Sequence, residues 1–423
     1  MATIDADAHV LETERTWDYL PAAEREFRPQ IVATPDVEES GGECWLIDGR
    51  LHPKARNVGG DTPKESREME DIAARIRHMD ELNVTVQVLY PTVFLRPFTN
   101  RPQIETALYR SYNRWLADIW RQGRGRLRWI VVTPLLDMDQ AVAEARFGKE
   151  NGACGIFIRG LEGERRLSDP YFYPLYEEAS RLDMPVCVHS ATGSFTVHDF
   201  FARECGFSKF KLAVVGAFHS LVYEGVPERF PRLKLAFVEV SAQWLPYAIH
   251  DLARRFGRKG RPLRKDLLRQ SRIYVACQTD DDLPYVLNYA GEDNLVIGSD
   301  YGHADTASEL EALRNLKRQG EVSPGVINKI LDDNPRRRIS GGDGAPAGQR
   351  GLGGSGSAQR HELLLRQATR MPHQHGDISR AGPRPQDRAH GPPWHRRAGV
   401  ERAGARRGPV SARRGNSFGT EGE

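Results

Sequence analysis

IDADAHV, residues 4–10, alternates Asp5, Asp7 and His9 with Ile4, Ala6, Ala8 and Val10. In an extended strand the three polar groups share one face and the small apolar groups the other. An edge strand facing water shows the same alternation, so the meaning of this stretch depends on what surrounds it.

Further short runs rich in β-branched residues follow at TVQVLY (85–90), RWIVVT (128–133), CGIFIR (154–159), PVCVHS (185–190), LKLAFVEV (233–240), RIYVACQ (272–278) and NLVIGSD (294–300). Amphipathic stretches lie between them: IETALYRSYNRWLADIW (104–120), DMDQAVAEARFG (137–148), PYFYPLYEEASRLD (170–183), AQWLPYAIHDLARRF (242–256) and TASELEALRNLKRQ (306–319). Strand and helix alternating eight times predict an α/β fold with a parallel sheet closed by helices, the (β/α)8 or TIM barrel. A doubly wound open sheet alternates similarly, but the GxGxxG turn expected after its first strand is missing.

A barrel of this kind places its active site at the C-terminal ends of the strands. Standing there are His9, Tyr90, Thr133, Arg159, His189, Glu239, Gln278 and Asp300. Each alone has a structural reading: a strand-end histidine is commonly just hydrogen bonded, and Asp300 in GSDYG could cap a helix. Together they converge on one mouth. The polar face of the first strand then points into the barrel, where Asp7 and His9 can chelate a metal with His189 and Asp300. Imidazole with carboxylate suits zinc, manganese or iron, with zinc expected first and manganese next. Asp5 is expected deeper, as a buried hydrogen-bonding group behind the ligands, although a one-step shift would make it a ligand itself.

The remaining composition excludes several classes. No apolar run reaches membrane-spanning length, and the acidic N-terminus lacks a signal-peptide pattern, so a soluble cytoplasmic protein is expected. Cys44, Cys154, Cys187, Cys205 and Cys277 are scattered and form no CxxC pair, which reads as reduced thiols rather than a disulfide frame or zinc clip. The 423 residues carry a net charge of +3, but residues 341–423 hold 14 Arg, no Lys and 7 acidic residues; this tail therefore carries +7 and residues 1–340 carry −4.

Apolar periodicity persists through EVSPGVINKILDDNPRRR (321–338) and then gives way to GGDGAPAGQRGLGGSGSAQR (341–360) and more Arg, Gly, Pro and His. The barrel is accordingly assigned to residues 1–340 and a disordered tail to 341–423. An Arg-rich arm for nucleic acid is disfavoured, because Trp394 and Phe418 are its only aromatic residues and base stacking needs more. Arginine without lysine also suits translation of GC-rich DNA in an unselected frame. The tail is therefore read as a frameshift or read-through product, a reading that resequencing the gene's end would refute if the frame proved intact.

The chain resembles the amidohydrolase superfamily, specifically the amidohydrolase-related branch with aminocarboxymuconate-semialdehyde, resorcylate and dihydroxybenzoate decarboxylases. The resemblance spans residues 3 to about 338. It rests on DADAHV (5–10), VCVHSATG (186–193), GVPERFPRLKLAFVEVSAQWLPY (225–247), IGSDYGHAD (297–305) and ILDDNPRR (330–337). It implies metal ligation by Asp7, His9, His189 and Asp300, with Asp7 a departure from the usual His or Glu. Relatives often place a catalytic His where this chain reads VEVSAQW, and Glu239 is the nearest ionisable group there. Relatives also suggest a homodimer.

The resemblance implies non-oxidative decarboxylation of an aromatic or unsaturated carboxylic acid, with Asp300, Glu239 and His219 as candidate acid/base groups. Arg159 is a candidate partner for the substrate carboxylate, and His303 and Tyr90 are further candidate substrate contacts. For His219 and His303 a structural or surface role is an equal alternative. The same residues would serve a hydrolase of amides, esters or lactones. A metal-free binding protein or inactive paralogue is the alternative of another class. Serine hydrolysis is set aside for want of a GxSxG elbow. The long segment after the first strand, residues 11–70, is expected to be a lid that shapes the pocket, or a cover for a neighbouring subunit.

Overall fold

The computed structural model describes residues 2–34, 42–54 and 57–339. The expectations for the tail lie outside these residues. Among the described residues thirteen strands follow in chain order. They are β1 (Ile4–His9), β2 (Gln30–Ala33), β3 (Glu43–Ile47), β4 (Arg50–Pro53), β5 (Val86–Tyr90), β6 (Leu127–Val132), β7 (Ala153–Arg159), β8 (Leu161–Glu162), β9 (Arg165–Arg166), β10 (Val186–His189), β11 (Leu235–Val238), β12 (Ile273–Cys277) and β13 (Leu295–Ile297).

Eight of them form one parallel sheet in the order β1-β5-β6-β7-β10-β11-β12-β13. Its two ends meet. Ala8 bridges Tyr301 in parallel fashion, His9 N donates to the Tyr301 carbonyl at 2.8 Å, and the Asp7 carbonyl accepts from Asp300 N at 2.9 Å. The result is a nearly closed barrel, as the alternation predicts. Gly298 permits this closure: a Cβ there would collide with the Asp7 side chain and lie 2.9 Å from Asp7 N.

Every residue of β1 is buried, because the barrel covers one face with its own interior and the other with helices. Long helices at Pro102–Gln122, Met138–Glu150 and Leu245–Arg258 match the amphipathic stretches. One helix starts late. The stretch 306–319 is helical only over Ala312–Gln319. Ahead of it the chain is held in turns, with Ala307 N donating to Asp305 Oδ1 and Glu309 N to the Ser299 carbonyl. Those turns keep Asp305 and Ser308 beside the mouth of the barrel.

The segment after β1 is not a bare loop. Strands β2, β3 and β4 form a three-stranded antiparallel sheet, with Trp45 paired to His52 across β3 and β4. Among the described residues no helix is long and apolar enough to cross a membrane.

Candidate metal centre

Alternation along β1 turns Asp5, Asp7 and His9 toward the barrel interior, and their contacts separate their roles. Asp5 accepts from Ser299 N at 2.9 Å, Ser299 Oγ at 2.5 Å and Gln87 Nε2 at 3.0 Å. It is thus a hydrogen-bonding residue at the base. Burial pushes its carboxyl up to about 6, against the pull of those donors.

Asp7 and His9 stand one level higher. Asp7 Oδ1 lies 3.3 Å from His189 Nε2 and 3.7 Å from His9 Nε2, and His9 Nε2 lies 3.3 Å from Asp300 Oδ1. His9 Nδ1 is 2.9 Å from the Pro91 carbonyl, which can only accept, so Nδ1 carries the hydrogen. Burial, then the neighbouring His303 and His189, hold His9 well below the ordinary imidazole range. It is therefore neutral, with the Nε2 lone pair facing Asp7 and Asp300.

Asp300 divides its oxygens: Oδ2 accepts from Ser308 Oγ at 2.5 Å, and Oδ1 lies 2.9 Å from His303 Nδ1. The Thr92 hydroxyl donates to the Val10 carbonyl at 2.8 Å, so at 3.0 Å it must accept from His303 Nε2. His303 stacks on His9 with ring centroids 3.8 Å apart. Burial opposes a charge on His303, yet Asp300 beside it raises its pKa above 6.5.

Glu239 and Asp300 occupy left-handed backbone, at φ +63° and +52°, as does Ser241 at +59°. Such a conformation is strained for non-glycine residues and persists where surrounding structure enforces it. Glu239 Oε2 lies 3.1 Å from His189 Nδ1. Burial, then Asp305, Asp300 and Asp7, raise the Glu239 carboxyl well above its usual range.

Five buried atoms in this cluster have no aligned hydrogen-bond partner: His9 Nε2, His189 Nδ1, Glu239 Oε2, Asp300 Oδ1 and His303 Nδ1. Each nevertheless has another cluster atom at 2.9–3.3 Å, off the hydrogen-bonding axis. Buried polar atoms that crowd together without bonding are what a shared cation would satisfy. Ligands at about 2.1 Å around a tetrahedral ion stand roughly 3.4 Å apart, close to the spacings of Asp7 from His189 and His9 and of His9 from Asp300. One atom each from Asp7, His9, His189 and Glu239 falls within 4.8 Å of the others, as do those of His9, Asp300 and His303. The residues fit a divalent metal.

Above the cluster opens a cavity of about 340 Å3, with Glu239, His303 and Asp305 on its floor and Glu12, Trp45 and His52 among its walls. That is near the lower end of small-ligand cavities, a size for a single-ring molecule.

Three other candidates lie elsewhere. His219 pairs with Asp251 at 2.8 Å and stacks on Tyr223, among the outer helices rather than at the cluster. Arg159 is buried and engaged: its Nε donates to both Glu162 oxygens at 3.0 Å, and Nη1 donates to the Arg96 carbonyl at 3.2 Å. Its fork braces the 94–96 wall and lines a separate cavity with Glu105 and Tyr171 rather than the one above the cluster, because Glu162 reaches it from the tight β7–β8 return. Tyr90 is fully buried beneath the histidines, and its hydroxyl accepts from Arg338.

Glu12, Thr92, Asp305 and His52 were not singled out from sequence, although Asp305 lies within the GHAD stretch. Glu12 accepts from Thr92 N and Val93 N, both at 3.0 Å, and burial raises it to about 7.

Residues 4–338 match the family model described as amidohydrolase. The chain belongs to the amidohydrolase family. A relative from Dictyostelium discoideum, 2-amino-3-carboxymuconate-6-semialdehyde decarboxylase, is 22% identical over 249 residues. That match covers 55% of this chain and 66%, just under two thirds, of the relative. An amidohydrolase from Mycobacterium avium subsp. paratuberculosis K-10 shares the fold at a TM-score of 0.66 and 20% identity, covering 81% of this chain and 99% of that one. The 5-carboxyvanillate decarboxylase of Novosphingobium aromaticivorans, complexed with manganese and 4-hydroxy-3-methoxy-5-nitrobenzoic acid, aligns at 0.59 and 18% identity over 80% of this chain and 96% of that one.

Proposed function

We propose that this amidohydrolase-family chain is a metal-dependent carboxy-lyase that removes carbon dioxide, without oxidation, from a small aromatic or unsaturated carboxylic acid. The observation that carries the reading is the convergence of partnerless atoms of His9, His189, Glu239, Asp300 and His303 under a cavity of single-ring size. Decarboxylases among the relatives and structural neighbours support it.

Asp7, His9, His189 and Asp300 would hold one divalent ion, zinc or manganese by the chemistry of the donors. When bound, the ion supplies positive charge that orients the substrate carboxylate or an adjacent oxygen. Glu239 stands on the cavity floor, where burial and then the neighbouring Asp305, Asp300 and Asp7 favour its protonated form. It fills the acid role that relatives often give to a sixth-strand histidine. Its proton passes to the carbon bearing the carboxylate, the bond to that carboxylate breaks, carbon dioxide leaves, and the bonding electron pair restores the unsaturated system. Water returns a proton to Glu239. His303, tied to Thr92 and Asp300, fixes the position of Asp300 beneath the substrate.

The test supplies the metal-loaded protein with hydroxylated benzoic acids, and separately with amides, esters and lactones. Carbon dioxide release equal to acid consumed, abolished at least 100-fold in Glu239→Gln with metal still bound, is expected for a lost proton donor. Cleavage of an amide, ester or lactone without carbon dioxide would replace this reading with hydrolysis. Turnover of neither by fully loaded protein would favour a binding protein.

A further inference from the structure

The cavity that Arg159 lines is distinct from the one above the metal cluster. Its volume is about 460 Å3, with Phe98, Leu135 and Phe172 among its apolar walls. Its charged walls are Glu105, Glu162, Glu164, Arg159 and Arg165, so acids outnumber bases. Both guanidinium groups are already engaged. Arg159 donates through Nε to both oxygens of Glu162 at 3.0 Å, and Arg165 lies 3.7 Å from Asp169 and over the ring of Tyr171 at 4.5 Å. Neither is left to take an acid, and Glu105 is the buried carboxyl left over.

Glu105 stands in the first turn of the helix Pro102–Gln122 and is only 4% exposed. Its Oε2 accepts from Leu136 N at 2.7 Å. Its Oε1 meets no donor among the described residues, yet it is not one of the occluded orphan atoms that mark the metal cluster. The little surface that Glu105 keeps is on the cavity. Burial raises its carboxyl to about 8, against the pull of Leu136 N and Arg159. A positive group brought beside it restores the charge that burial denies.

We propose that this second cavity binds a small organic cation, a primary ammonium carried on an apolar body of about one ring. The ammonium donates to Glu105 Oε1, the Glu105 carboxyl gives up its proton to solvent, and the two charges pair away from water. Phe98, Leu135 and Phe172 take the apolar body. A carboxylate of the same size finds two engaged arginines and a surplus of acids, so the site refuses the acids that the first cavity is proposed to take. This assignment is independent of the carboxy-lyase reading.

The test is calorimetric titration of the full-length protein at pH 7 with benzylamine, benzyl alcohol and benzoate, in two buffers of different ionisation enthalpy. Benzylamine is expected to bind with release of roughly one proton per chain, about tenfold or more tighter than benzyl alcohol, and benzoate not to bind at this site. Glu105→Gln keeps an acceptor for Leu136 N and is expected to lose both the preference for the amine and the proton release. Benzyl alcohol binding as tightly as benzylamine, no binding of benzylamine by the parent, or unchanged binding in the variant would each overturn the proposal. A crystal soaked with bromine-labelled benzylamine locates the ligand without any variant: bromine beside Phe98 and Phe172 is expected, and bromine found solely above the metal cluster would contradict the assignment.

Discussion

Arg338 Nη1 donates to the carbonyl of Ala6 at 3.1 Å, joining residues 332 positions apart. The same guanidinium reaches the Tyr90 hydroxyl, and Tyr90 packs against His9 and His189 with centroids 6.0 and 5.0 Å away. The last described helix therefore plugs the barrel beneath the metal cluster. Replacing Arg338 by Met removes a fully buried cation together with the donors to Ala6 and Tyr90. A loss of roughly 3 kcal/mol is expected. Denaturant unfolding of Arg338→Met checks this, and a change below about 1 kcal/mol would show the plug to be dispensable.

Gly298 ligates nothing, yet it should be as critical to the cluster as a ligand. A methyl group there collides with Asp7 across the seam where β1 meets β13. Gly298→Ala is expected to displace Asp7, lowering metal affinity at least about tenfold while the far side of the barrel stays folded. Competitive chelator titration measures the affinity. Unchanged affinity would mean that Asp7 is not part of the binding set.

His52 makes a further prediction. Burial holds its folded pKa at about 4, below the unfolded 6.5. The unfolded chain thus binds a proton that the folded chain refuses between those values, and stability falls as pH drops from 6.5 toward 4. A difference of that size corresponds to about 3 kcal/mol. His52→Gln should flatten this part of the stability–pH curve by a comparable amount, measured by urea unfolding at several pH values. Curves that remain parallel would place a protonated His52 in the folded state.

The barrel was legible because its strands are short β-branched runs, each followed by helical periodicity. Asp7 was legible from the alternation along β1, and His9, His189, Glu239 and Asp300 from a related cue: position at a strand end says where a side chain lies. It does not say what the side chain meets. Arg159 occupies such an end, yet Glu162 three residues on captures its fork. His219 lies on a mostly apolar helix, where sequence alone does not tell the inner face from the outer. The β2–β4 sheet was hidden because QIVA and RLHP are too short to show alternation. His52 and Glu12 acquire meaning only through neighbours distant in sequence. The strained φ at Glu239 and Asp300 likewise has no signature in residue type.

Whether Asp7, His9, His189 and Asp300 hold a divalent ion is decided by elemental analysis of the purified full-length chain. Loosely bound metal is first removed, and Asp300→Ala is measured beside the parent. The expected result is about one zinc or manganese per chain in the parent, and a marked reduction in a variant that remains folded. A folded parent that holds no metal and takes up neither ion when it is supplied would contradict the claim.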